Sequence, residues 1–124
     1  MQWKIKKETL EAICLAARNV YPKEFIALLG RNPKTKIIDE IVVQPATFGE
    51  GFSSLDLEML PFDPNIIGSV HSHPTNNNFP SSADKRFFSK TGQIHLIVSY
   101  PFNINNFRAF DIKGKEIEIE IVGG

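Results

Sequence analysis

The pair His71-x-His73 and, after seven intervening residues, Ser81-x-x-Asp84 bring together residue types that bind a metal and assist hydrolysis. On an extended chain, side chains alternate between faces, so His71 and His73 point one way and Ser72 the other. Two imidazoles so placed can converge on one ion, and Asp84 is the nearest candidate for a third ligand. Two histidines and one carboxylate leave the fourth position of a tetrahedral zinc open to water, the arrangement of a catalytic site rather than a structural one. A closed four-ligand site would draw on cysteine, and Cys14 is the single thiol. Hydrolysis also needs a base to take the proton of water and return it to the leaving group. Glu24 suits that place, since it heads the apolar run Phe25-Ile26-Ala27-Leu28-Leu29, where packing alone gives no reason for a carboxylate.

Each of these pieces also has a plainer explanation. A His-x-His pair occurs among ordinary strand residues. Ser81-x-x-Asp84 ahead of an apolar helix has the form of a capping box, with Ser81 as N-cap. Glu24 could simply start a strand at the surface. Only the joint spacing separates chemistry from these readings.

The elements that must position the residues follow from periodicity. Residues 2–6 alternate around Trp3 and Ile5 as a short strand. From 8 to 20, Leu10, Ile13, Cys14, Ala17 and Val20 keep the three-and-four spacing of an amphipathic helix, which Tyr21-Pro22 ends. Residues 24–30 read as a buried strand closed by Gly30, and 36–43 as the next strand. A loop over 44–54 leads into Phe52 to Leu60, which alternates at Leu55 and Leu57 and reads as a strand, with a short helix as the alternative, and Ile66 to His73 forms a further strand. A second helix is expected from Ser81 to about Lys90, with Gly92 placed for a left-handed cap. Three strands close the chain, over 93–100, 106–112 and 116–122. The last of these alternates Glu with Ile or Val, as a one-sided or edge strand does.

Composition limits the function classes. The chain has 124 residues, 42% hydrophobic and 23% charged, which suits one folded domain. Fourteen basic residues balance fourteen acidic ones, so the basic excess of a dedicated nucleic-acid binder is missing. No apolar run reaches the ~18–20 residues of a membrane span. The opening residues lack the apolar stretch of a signal peptide, and the expectation is a cytoplasmic chain.

Glu24, His71-x-His73 and, after seven residues, Ser81-x-x-Asp84 resemble the motif of the JAMM (MPN-plus) zinc metalloproteases. That family includes the deubiquitinase of the proteasome lid and compact stand-alone archaeal and bacterial members. The resemblance extends to Pro22-x-Glu24-Phe25-Ile26-Ala27-Leu28-Leu29-Gly30, to Leu57-x-Met59-Leu60-Pro61 and to Ile97-Val98-Ser99-Tyr100-Pro101. It implies a single domain over residues 1–124 of the α/β class, with a cytidine-deaminase-like MPN/JAB fold whose mixed, mainly antiparallel sheet is flanked by helices. It further implies His71, His73 and Asp84 as ligands of one zinc with a bound water, Glu24 as the water-activating base, and Ser81 as a hydrogen-bond donor to the oxyanion. The implied reaction is hydrolysis of the amide between the C-terminal glycine of a ubiquitin-like modifier and lysine. The implied partners are conjugates of such modifiers or of sulfur-carrier proteins, met by a monomer or weak homodimer. Two alternatives stay open, namely trimming of linear extensions from sulfur-carrier proteins and a non-catalytic MPN scaffold.

Several other residues carry expectations. His95, within Ile94-His95-Leu96-Ile97-Val98, reads as a satisfied strand histidine, and Cys14 as a buried packing residue. Phe52 and Phe79 are the aromatic candidates for lining a substrate groove. Asn76-Asn77-Asn78 reads as a solvated loop whose place beside the ligands could make it a rim. A modifier tail would pair with the strand over 52–60. Other metal folds are excluded. The chain has no His-Glu-x-x-His helix, one cysteine cannot supply a deaminase's Pro-Cys-x-x-Cys, and its length cannot close a TIM barrel.

Overall fold

The periodicities resolve into ten elements in the computed structural model, which describes residues 2–43 and 64–123. In chain order these are β1 (Trp3–Lys6), α1 (Lys7–Val20), β2 (Ile26–Arg31), β3 (Ile37–Val42) and β4 (Ile66–His73), then α2 (Ser82–Thr91), β5 (Ile94–Ser99), β6 (Phe107–Phe110), β7 (Glu116–Ile117) and β8 (Ile119–Val122). The strand expected over 52–60, with Phe52 and Leu57, lies outside the described residues.

Helix α1 forms where apolar residues recur on one side, and Thr9, Leu10, Ile13, Cys14 and Ala17 are its buried stripe. It stops where Tyr21 N–H donates to the Ala17 carbonyl ahead of Pro22. The free thiol of Cys14 is buried there, as expected, and burial pushes its pKa up.

The strands form one sheet in the order β7-β6-β5-β4-β2-β3-β1-β8. Four of its seven pairings are antiparallel, so it is mixed and mainly antiparallel. Alternation assigns the two faces. Ala27, Leu29, Val70, Leu96 and Val98 pack with the buried stripe of α1. Their neighbours Ile26 and Ile97 pack instead with Phe87 and Phe88 of α2 and with Phe110.

The C-terminal segment departs from the single expected strand. Only Glu118 separates β7 from β8, yet they pair at opposite ends of the sheet, β7 with β6 and β8 in parallel with β1. One strand residue spans about 3.3 Å, so the two edges must come together. The sheet therefore curls around α1, and Phe107, Ile117 and Ile119 pack against the α1-side core. This arrangement protects both edges. Strand β6 also ends earlier than 112, because the Asp111 carboxylate accepts from Lys113 and Lys115 N–H and turns the chain.

Helix α2 ends at Gly92, but not in the expected left-handed cap. The residue has φ 133° and ψ −163°, a region essentially reserved for glycine. A Cβ there would lie 2.4 Å from the Ile67 carbonyl oxygen, so close approach to β4 is what demands glycine. Among the described residues, no helix is long and apolar enough to cross a membrane.

Candidate metal centre

Strand β4 sets the site. His71 is buried and His73 half-buried on the same face, and their Nε2 atoms lie 3.0 Å apart. Helix α2 brings the third group. Asp84 stands in its first turn, with Oδ1 3.4 Å from His71 Nε2 and Oδ2 3.3 Å from His73 Nε2. Tetrahedral zinc with bonds of about 2.0–2.1 Å separates its ligand atoms by ~3.3 Å, so the three groups already stand at the spacing such an ion requires. They are the one group of three or more potential metal ligands that converges among the described residues.

Helix capping aims Asp84. Ser81 Oγ accepts from Asp84 N–H at 3.1 Å, and Asp84 Oδ2 accepts from Ser81 N–H at 2.8 Å, a complete capping box. The capping reading and the ligand reading therefore hold together, since the carboxylate that closes the box also faces both rings. Ser81 uses a lone pair in the cap and keeps its hydroxyl proton to donate elsewhere.

The three groups are perturbed in different directions. Burial lowers the pKa of His71, which the neighbouring Asp84 carboxylate only partly offsets, and so favours the neutral ring that a metal needs. Burial alone would raise Asp84, but the two rings and the Ser81 N–H outweigh it and hold the carboxyl well below the usual carboxylate range. Burial would also lower His73, but Asp84 and the Asn77 carbonyl favour its charged form and carry it above its ordinary value. His73 Nδ1 lies 2.7 Å from the Asn77 carbonyl oxygen. A carbonyl only accepts, so Nδ1 bears the proton and, in the neutral ring, the Nε2 lone pair faces Asp84 and His71.

Glu24 stands beside this cluster rather than in it. Ile26, two residues on, pairs with His71 across β2 and β4, so Glu24 enters the sheet next to the strand that carries both histidines. The Glu24 side chain is half-buried, and its charge is felt by both rings. The expected strand over 24–30 begins only at Ile26, for a local reason. Ser72 N–H donates to the Phe25 carbonyl at 2.9 Å, but Phe25 N–H turns to Ser72 Oγ at 2.8 Å. A hydroxyl thus replaces the strand carbonyl and pins the backbone next to Glu24 to the strand that carries both histidines.

His95 is satisfied, as expected. Its Nε2–H donates to the Gly92 carbonyl at 2.8 Å, Nδ1 accepts from the Ser69 hydroxyl at 2.7 Å, and the ring stacks on Phe88 at 4.3 Å. Burial pushes its pKa down to about 4. Phe88 also lies 6.4 Å from the His71 ring and floors the site.

Sequence reasoning missed two residues. Ser72 gave a signal, a small hydroxyl between the two histidines, but its partner Phe25 is 47 positions away. Arg108 gave none. It reaches the site's face because Ile26, His71, Ile97 and Arg108 are successive cross-strand partners over four strands.

Comparison with known proteins agrees with this geometry. The family model for prokaryotic homologues of the JAB domain matches residues 6–113. A JAB1/MPN domain protein from Archaeoglobus fulgidus has a similar structure, with TM-score 0.78 and 33% identity over 98% of both chains. A structure described as a metalloprotease-like zinc site in the proteasome and signalosome has TM-score 0.77 and 32% identity, covering 99% of this chain and 100% of its own. A probable metalloprotease of Haloferax volcanii is 25% identical over 95% of this chain and 78% of its own length.

Proposed function

The chain belongs to the family of prokaryotic homologues of the JAB domain, and from that membership we propose that it is a zinc metallopeptidase cleaving the amide between the C-terminal glycine of a ubiquitin-like modifier and a lysine. The observation that carries this reading is the meeting of His71, His73 and Asp84 at ligand spacing, with the Glu24 carboxylate close enough for its charge to act on both rings. The likeness to a structure described by its metalloprotease-like zinc site supports it.

In this reading His71, His73 and Asp84 hold one zinc. Bound zinc supplies a Lewis acid for the carbonyl and an acidified water. Glu24, held by the Ser72 clamp on its neighbour, takes the proton of the attacking water and delivers it to the departing lysine amine. Ser81 donates its free hydroxyl proton to the oxyanion, and loss of one such donor typically costs ~10²–10³ in rate. Phe79 is half-exposed in the loop between the ligands, with its ring 6.4 Å from that of Phe110, a place from which it would contact substrate. The partner is the conjugate of a ubiquitin-like modifier.

The test is cleavage of an isopeptide-linked ubiquitin-like conjugate by zinc-loaded protein, beside a linear C-terminal fusion of a sulfur-carrier protein, with Glu24→Ala as control. Isopeptide cleavage lost in the variant is the expected result. Cleavage of the linear fusion alone would move the substrate assignment to carrier processing. A folded protein that takes up no zinc would overturn the enzyme reading in favour of a scaffold.

A further inference from the structure

Three consecutive residues of the loop between the ligands are tied down, and two of the ties lead to one side chain. The Asn77 carbonyl holds His73 Nδ1–H at 2.7 Å. Asn78 Oδ1 accepts from Arg108 Nε at 2.7 Å, and the Phe79 ring lies under the same guanidinium, 4.3 Å from centroid to Cζ. Arg108 is braced in turn by Glu116, whose Oε2 accepts from Nη1 at 2.8 Å. The loop is otherwise polar, exposed over Thr75 to Asn77, and bounded by prolines at 74 and 80. Its own contacts, such as Phe79 N–H to Asn77 Oδ1, shape it without fastening it to the sheet. Apart from the Tyr100 N–H bond to the Thr75 carbonyl and the 3.3 Å contact of Asn78 Nδ2 with Ser99 Oγ, the ties from residues 75–79 to β5, β6 and the turn after β5 among the described residues run through Arg108 and through the Phe79–Phe110 ring contact.

We propose that Arg108 is a positioning residue for the metal centre: by gripping Asn78 and Phe79 it fixes the Asn77 carbonyl, which in turn sets the orientation and tautomer of His73. The physical reason is that a metal-ligating imidazole is aimed by what its other nitrogen donates to, and loss of that outer partner typically weakens metal binding 10–100-fold. A backbone carbonyl on a surface loop can do this only if the loop itself is held. The planar guanidinium suits the task because it can donate to Asn78 and Glu116 in its plane while presenting its face to Phe79. Glu116 begins β7, so the segment that closes the sheet also steadies the centre.

The inference rests on His73 being a metal ligand, and its test separates the two claims. Zinc affinity is measured by chelator competition for wild type, R108A, R108K, N78A and the R108A/N78A double variant, with circular dichroism to confirm folding. Arg108 acting through Asn78 predicts 10–100-fold weaker zinc binding in R108A, a similar loss in N78A, little further loss in the double variant, and partial recovery in R108K. Folded R108A that binds zinc as tightly as wild type would overturn the proposal. The second readout needs no metal. Side-chain ¹⁵N shifts of His73 at mildly alkaline pH are expected to show one Nδ1–H tautomer in wild type and a mixture in R108A. If wild type takes up no zinc, the metal reading fails, and an unchanged His73 tautomer in R108A overturns the positioning role by itself.

Discussion

The two faces of the sheet carry opposite chemistry, although their residues alternate along the same strands. Toward α1 the strands present Ala27, Leu29, Val70, Leu96 and Val98, in an apolar cluster that reaches from Trp3 to Ala109. Toward α2 the intervening positions are Ser69, His71 and His73 on β4 and His95 and Ser99 on β5, beside a smaller apolar cluster that among the described residues comprises Ile26, Phe87, Phe88, Ile97 and Phe110. The difference teaches where rigidity and chemistry come from. Buried apolar area stabilises in proportion to its extent, whereas buried polar pairs contribute little net and cost heavily when mispaired. The α1 face therefore holds β4 and β5 in place, and the α2 face uses that fixed spacing to keep two rings and a carboxylate together.

The sharpest way to break this comparison is to find that a change on the α2 face unfolds the protein. Asp84→Ala is expected to weaken zinc retention by more than ~10²-fold and abolish hydrolysis. In the metal-free protein the lost capping box is expected to cost only about 1 kcal/mol of unfolding free energy. Metal analysis of the zinc-loaded protein and urea unfolding of the metal-free protein check the two effects. The converse belongs to α1. Leu10→Ala, at a fully buried position, should cost about 2–5 kcal/mol by urea unfolding and leave zinc affinity unchanged well below the melting temperature.

His95 gives the next effect, in pH. Burial lowers its folded pKa to about 4, against about 6.5 when unfolded. Below pH ~6.5 the unfolded chain takes a proton that the folded one refuses, so the contribution is complete above that pH and is lost as pH falls toward about 4. The loss amounts to about 3 kcal/mol. Unfolding of the metal-free protein across this window should show the slope in wild type and a flatter profile in His95→Gln. The smallest effect concerns Ser72, a hydroxyl on the apolar face. Ser72→Ala removes the hydroxyl that accepts from Phe25 N–H and should cost about 1–3 kcal/mol while lowering kcat more than it raises KM. Ser72→Thr should recover most of both.

Much of the fold was legible because it is encoded locally. The periodicity of Leu10, Ile13, Cys14 and Ala17 gave α1, the run over 66–73 gave β4, and Pro22 marked a boundary. The misses occurred where long-range pairing overrode local pattern. The even alternation of Glu116 to Val122 contains nothing to say that its two halves pair with opposite edges of a sheet. Gly92 looked like a helix cap because the close backbone of Ile67 is remote in sequence.

The sequence by itself determined which residues can do chemistry here. Residue type supplies the lone pairs of His71, His73 and Asp84, strand alternation puts the two rings on one side, and the capping pattern places Asp84 in the first turn of a helix. Only the tertiary structure decided how they meet. The 3.0–3.4 Å spacing requires α2 to lie over β4. The place of Glu24 depends on a hydroxyl 47 positions from the amide it holds, and the His73 tautomer depends on a carbonyl in a loop that Arg108 grips from β6. These are contacts between segments far apart in the chain, and local propensity carries no information about which distant segment a given strand will find.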